Sequence, residues 1–269
     1  TPESSARNSA KQFALATKFS SGLVVLARNP LLENIPPVVL LKAAWELLFL
    51  NLAISWILTL AFSEDDDFVA NNYVRDRLGY NTLTVGWHTP PAKHLGGVLW
   101  MGTAYYALRF VLMNQLRFMR DPDSLKFSAF ANLSFRLSIF SILLTFIVDP
   151  NDSIWLHTLP FLGLIITNFM VVLALCLEDW EHVTSTGKLF LVYFGLVSFL
   201  LPFVVVFEFR FYDIHQRKSS WPPRWTLYLD CAWLLGAVVS VWLIPSVAVI
   251  VRTLEVVPKQ EMISLRRGC

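Results

Sequence analysis

The sequence predicts an all-α polytopic membrane protein, six transmembrane helices preceded by an N-terminal amphipathic helix. Three observations point there. Of 269 residues, 55% are hydrophobic and 16% charged, and the mean hydropathy is +0.53. Soluble domains carry about 25% charged residues, so this chain has too few to wet a surface of its own. The apolar residues are gathered into six runs, at 38–62, 95–116, 127–148, 153–178, 188–209 and 226–252. Each matches the roughly 20 residues an α-helix needs to cross a hydrocarbon core of about 30 Å. The runs are also continuous rather than alternating, which excludes a transmembrane β-barrel.

Residues 1–36 form a basic arm. The chain opens at Thr1 rather than a methionine, which reads as a processed N-terminus. Between Ser4 and Leu32 stand Arg7, Lys11, Lys18 and Arg28 and no acid. At 100° per residue the first three share one helix face, and Leu15, Phe19, Leu23 and Leu26 share the next. Such a helix lies on a membrane surface or packs on a partner protein. Asn29-Pro30 and Pro36-Pro37 then break the chain before the bundle, residues 37–252. The loop 63–94 opens with the acidic run Glu64 to Asp67, which reads as a solvated cap because a calcium loop needs alternating ligands and a glycine turn. Within it, residues 68–78 have the composition of a short interfacial helix. A short tail, 253–269, ends the chain.

Lysine and arginine set the orientation. Twelve fall in the N-terminal arm, the loops near 117–126 and 179–188 and the C-terminal tail, against seven in the opposite loops. Both termini are therefore expected on the cytoplasmic or matrix side. A net charge of +2 is no nucleic-acid signature. Alternating crossings put Cys176 and Cys231 at opposite faces, too far apart for a disulfide, and no metal-ligand spacing is present.

Ionisable residues inside spans are where function is sought first in a bundle. Glu46, Arg109 and Arg136 all fall about 10 to 15 Å from the inner end of their spans. Such a layer forms an ion-paired clamp or a polar path for an ion, a proton or a lipid headgroup. Tyr105, one turn from Arg109, offers it a cation–π contact. A second layer, His157, Glu208 and Asp230, falls near the outer face. It reads as a proton shuttle or, given its place near span ends, as three interfacial side chains reaching water. Asn51 and Asn168 are expected to hydrogen-bond neighbouring helices, and the Ser134/Ser138 and Gly236/Ser240 pairs to mark close helix contacts. Pro160 is tolerable near a helix start, whereas Pro202 and Pro245 are expected to kink theirs. Five scattered histidines, His88, His94, His157, His182 and His215, supply no paired mid-span haem ligands. No nucleophile elbow, P-loop or zincin motif occurs.

Two resemblances bear on function. A long first loop with Pro90-Pro91, an arginine late in the second helix (Arg109), a histidine opening the fourth (His157) and an acid before tryptophan in the sixth (Asp230, Trp233) resemble the damage-regulated autophagy modulator family of six-helix membrane proteins. The segment Trp155-Leu-His-Thr-Leu-Pro160 is similar to the histidine-containing segment of the androgen-induced membrane hydrolases, which split lipid esters with a threonine nucleophile. Where that nucleophile belongs, this chain has Lys93-His-Leu-Gly-Gly97, and glycine offers no hydroxyl. The first resemblance implies a lipid-handling or autophagy-related protein of endolysosomal or plasma membranes, the second an enzyme centred on His157. The residues themselves favour a non-catalytic accessory subunit of a larger assembly in the mitochondrial inner membrane. It would need no cofactor and would contact membrane lipids and other integral subunits. Arg117, Arg120 and Lys126 would meet lipid headgroups such as cardiolipin.

Overall fold

The computed structural model describes residues 21–28, 37–62, 68–120, 126–178, 180–215 and 224–243. Regular structure in these residues is entirely helical: α1 (Gly22–Arg28), α2 (Pro37–Phe62), α3 (Tyr73–Leu78), α4 (Ala92–Arg120), α5 (Lys126–Ser141), α6 (Leu143–Ile147), α7 (Ile154–Leu177), α8 (Ser185–His215) and α9 (Trp225–Leu243), with two short 3-10 turns. Among them five stretches are long and apolar enough to cross a membrane: Pro37–Phe62, Ala92–Gln115, Lys126–Ile147, Ile154–Leu177 and Ser185–Arg210. The chain is thus an integral membrane protein. The sixth apolar helix, Trp225–Val241, is shorter, and the rest of its run, with Pro245, lies outside the described residues. So do residues 1–20 of the basic arm and the acidic run at 64–67.

The long helices pack in chain order. α2 lies against α4, α4 against α5, α5 against α7, α7 against α8 and α8 against α9, and α9 returns to α2. Large aromatic rings fill the centre. Trp45 of α2 packs on Phe135 of α5 and edge-on to Trp233 of α9, with centroids 6.1 and 6.0 Å apart, and Phe161 of α7 meets Trp233 at 5.8 Å. Ile57, Leu60, Val98, Leu189, Phe203 and Leu235 point outward and are exposed, as side chains bathed in lipid must be.

Small residues set the closest approaches. A Cβ on Gly236 of α9 would lie 2.6 Å from a ring carbon of Phe194 of α8, so α9 seats on that ring only through glycine. Ser240, one turn on, is buried. Pro160 and Pro202 sit inside α7 and α8, which continue through them.

The segment 68–91 caps one end of the bundle. Its helix α3 forms where the interfacial helix was expected and is bounded by local chemistry. The Asn72 side chain accepts the Arg75 backbone N–H at 2.9 Å, and Gly79 ends the helix at a φ of 79°, a left-handed conformation that favours glycine. Three side chains tie the following 3-10 turn to the bundle. Trp56 Nε1 donates to the Leu83 carbonyl at 2.7 Å, Thr59 to the Gly86 carbonyl at 3.0 Å, and Trp87 Nε1 to Asn51 Oδ1 at 3.2 Å.

Candidate functional site

A polar cleft opens where the cap meets the ends of α7, α8 and α9. His157, Glu208 and Asp230, read from the sequence as one layer, do come to this end of the bundle. They are buried rather than solvated at an interface, being 4%, 0% and 6% exposed. The interfacial reading is corrected because the cap folds over them, and its Tyr80 and His88 supply the contacts that solvent would otherwise make.

His157 sits in the first turn of α7, whose N-terminus Ser153 caps by accepting the Leu156 backbone N–H. Its Nδ1 lies 2.9 Å from the Val148 carbonyl oxygen. A carbonyl only accepts, so Nδ1 carries the proton and Nε2 is left with its lone pair. That Nε2 lies 3.1 Å from Nε2 of His88, with ring centroids 4.7 Å apart and planes at 84°. His88 closes the 3-10 turn, its backbone N–H bonded to the Val85 carbonyl. Burial holds its imidazole well below the ordinary range, and His157 and Lys93 push the same way.

Beside the histidines lie two carboxylates. Tyr80 and Thr226 both donate to Glu208 Oε2, while Glu208 Oε1 is buried with no hydrogen-bond partner. Asp230 accepts the Leu83 backbone N–H and is close enough to Glu208 for their charges to repel. Burial, then the Glu208 carboxylate, pushes the Tyr80 phenol far above its usual range, so it remains a donor. The hydroxyls of Thr82, Thr84, Thr158 and Thr226 share the lining with His88, His157 and Asp230. About 40 Å³ of the cleft is open to the centres of water molecules, room for a few waters. Two imidazoles and the Asp230 carboxylate share this lining, a set of groups able to relay protons. Among the described residues no three His, Cys, Asp or Glu side chains stand together as a ready set of metal ligands. Neither nitrogen of His157 addresses a hydroxyl, the contact that a threonine nucleophile requires of its base.

The inner layer, Glu46, Arg109 and Arg136, is not assembled. Glu46 turns toward the N-terminus of α1, where it accepts from the Ser21 hydroxyl at 2.6 Å and from the Gly22 and Leu23 backbone N–H groups at 2.9 and 3.0 Å. The acid-free first turn of α1 thereby obtains from α2 the anion that its own sequence lacks. Lys42, one turn earlier and buried, interacts electrostatically with Glu46. Arg109 keeps to its own helix, donating to the Tyr105 hydroxyl at 3.0 Å with its guanidinium 5.8 Å from that ring's centroid. Arg136 is exposed on α5. Among the described residues no ion pair joins the three, and the expected clamp is corrected: equal depth does not bring side chains on different faces together.

Other expectations divide. Asn51 Nδ2 donates to the Gly96 carbonyl at 2.9 Å, joining α2 to α4, whereas buried Asn168 has no partner for either side-chain polar atom. Lys126 is exposed at the start of α5, at the same end of the bundle as the end of α4 that carries Arg117 and Arg120. Cys176 and Cys231 are free thiols. Tyr80, His88 and Thr226 were not picked out from the sequence as members of the site. Only His88 had a signal, Trp87-His-Thr-Pro-Pro91, a histidine held in a constrained loop. No protein-family model matches the chain, and neither a curated protein nor a solved structure does.

Proposed function

We propose that the chain is a non-catalytic subunit of a larger membrane assembly, crossing the mitochondrial inner membrane six times with its basic arm and tail on the matrix side. One observation carries the reading. Arg136 lies ten residues into a 22-residue span, about 15 Å from Lys126 and so near mid-membrane, and it faces outward with no partner among the described residues. An arginine there costs at least about 2.5 to 3.5 kcal/mol in lipid. Extended fully, the side chain reaches roughly 7 Å, about half of the way to the headgroups. A carboxylate on a neighbouring subunit's transmembrane helix removes that cost, and exposed Leu133, Leu137 and Phe140 give that helix an apolar surface to pack on.

The aromatic core favours a scaffold over a conduit, since Trp45, Phe135 and Trp233 occupy the middle of the ring where a polar path would run. Arg117, Arg120 and Lys126 flank the connection between α4 and α5, on the side that the charge count assigns to the matrix, and would meet anionic lipid headgroups there. The stretch from Ser4 to Leu32, which carries four basic residues and no acid, and the excess of basic residues on that side support matrix placement. Native purification in mild detergent tests the reading. The chain is expected to migrate in a complex well above its own 30.7 kDa with a reproducible set of integral membrane partners from mitochondria. Recovery as a stable monomer, or from endolysosomal membranes alone, would overturn it.

A further inference from the structure

Glu208 has one oxygen satisfied and the other bare. Oε2 accepts from the Tyr80 and Thr226 hydroxyls, while Oε1, in a side chain 0% exposed, has no hydrogen-bond partner. An ionised carboxyl accepts on both oxygens, so a buried Oε1 without a donor leaves part of the charge unanswered. No lysine or arginine among the described residues pairs with it. Lys93 acts on the His88 and His157 rings, Arg75 donates to the Val69 carbonyl, and Arg210 and Arg224 are exposed.

Asp230 is the group that can supply the missing donor. It is buried, it accepts the Leu83 backbone N–H, and it stands close enough to Glu208 for two negative charges to repel. Two buried carboxyls placed so, with no cation between them, are costly enough to ionise together that one takes up a proton instead. A proton on Asp230 ends the repulsion and gives Glu208 Oε1 the hydrogen it lacks. A proton on Glu208 would instead weaken the two bonds that Oε2 already accepts, since bonds to a charged acceptor are the stronger ones. Asp230 also lines the cleft, where there is room for water to reach it.

We propose that Asp230 and Glu208 form a proton-binding site. One proton is carried by Asp230, donated to Glu208 Oε1 directly or across one cleft water, and exchanged with water in the cleft. The site is complete within one chain and does not depend on a partner subunit. It also latches the cap: Tyr80 holds Glu208 and Leu83 holds Asp230, so loss of the proton sets like charges against each other at two points where the cap is tied down. The other titratable groups around the pair are Tyr80, which remains a donor, His88 and His157 across the cleft, Cys231 beside Asp230, and Tyr73 and Asp76 on α3. The two carboxyls therefore titrate as one unit.

Infrared difference spectra of the full chain in detergent, recorded across a pH titration in water and in heavy water, test the site. One protonated-carboxyl C=O band is expected, shifted in heavy water and lost as the pH rises. Asp230→Asn should abolish it. Glu208→Gln, which takes away the like charge, should move its loss to lower pH. Cleavage within the cap should quicken over the range in which the unaltered chain loses the band, and should stay constant in Asp230→Asn, which has no such proton to lose. An isotope label on the aspartate carboxyl carbons should shift the band in the unaltered chain, a measurement that holds even where a variant fails to fold. A spectrum without the band, a band indifferent to the aspartate label or surviving Asp230→Asn, loss at the same pH in Glu208→Gln, or equal cap cleavage in the two chains would each overturn the proposal.

Discussion

Burial depresses the His88 imidazole from its ordinary value of 6.5, with His157 and Lys93 as the charged or chargeable groups adding to the shift. The unfolded chain therefore takes up a proton on His88 below about pH 6.5 that the folded chain refuses, and this imidazole's contribution to stability falls as the pH drops through that range. The imidazole's share is read as the Tm of the unaltered chain minus that of His88→Gln, a difference that should be constant from about pH 8 to 7 and fall toward pH 5. Tyr80→Phe tests the neighbouring carboxylate: it removes one of two donors to Glu208 Oε2 and should cost about 1.5 to 3 kcal/mol in denaturant unfolding, as bonds to charged groups do. At this scale depth was legible and direction was not. Depth grows linearly with residue number, so His157, Glu208 and Asp230 could be placed at one level. Which way a side chain points, and what a loop without periodicity lays over it, are not linear in sequence. That is why Glu46 was matched to arginines it never meets, and why Tyr80 and His88 were missed.

Elements follow a similar division. Long apolar runs announced the helices because nothing else satisfies a backbone in lipid, and α3 was visible from its composition. The docking of α1 on α2 was not, since it depends on one hydrogen at Gly22. A Cβ there would stand 2.5 Å from the Ala43 backbone nitrogen and 2.9 Å from the Val39 carbonyl oxygen. Backbone atoms of a buried helix cannot move aside, so Gly22→Ala should push α1 off its seat at a cost of about 1 to 3 kcal/mol. Glu46→Ala should do the same by another route, stripping the acceptor from one hydroxyl and two backbone N–H groups. Trypsin cleavage after exposed Arg28 reads both: each variant should be cut several times faster than the unaltered chain while the circular dichroism of the bundle stays the same. Equal cleavage rates would show that α1 is held by something other than this contact.

For the molecule as a whole, the helices form a ring that closes on itself around tryptophan and phenylalanine, and of the three charged residues placed deep in the spans, Glu46 and Arg109 have partners within the chain while Arg136 faces outward. The cap end is self-contained, its carboxylates and histidines answering one another. Arg136 is answered by nothing in the described chain, and this makes its two possible roles separable by sign. If Arg136 serves only the fold of this chain, replacing it with leucine should lower the amount of folded protein. If it serves a partner, Arg136→Leu should leave the isolated chain as stable or more so, because the cost of about 2.5 to 3.5 kcal/mol for a mid-membrane arginine disappears. The same change should strip the chain from its complex, because it leaves the partner's carboxylate buried without a counter-charge, a loss of about 3 to 5 kcal/mol. Arg136→Lys keeps the charge but not the two-pronged geometry and should fall between the two. Native electrophoresis of extracted membranes, set beside the total amount of chain in them, measures both quantities at once: the expected result for Arg136→Leu is an undiminished total with the high-mass band lost, and an undiminished band would remove the arginine from any interface.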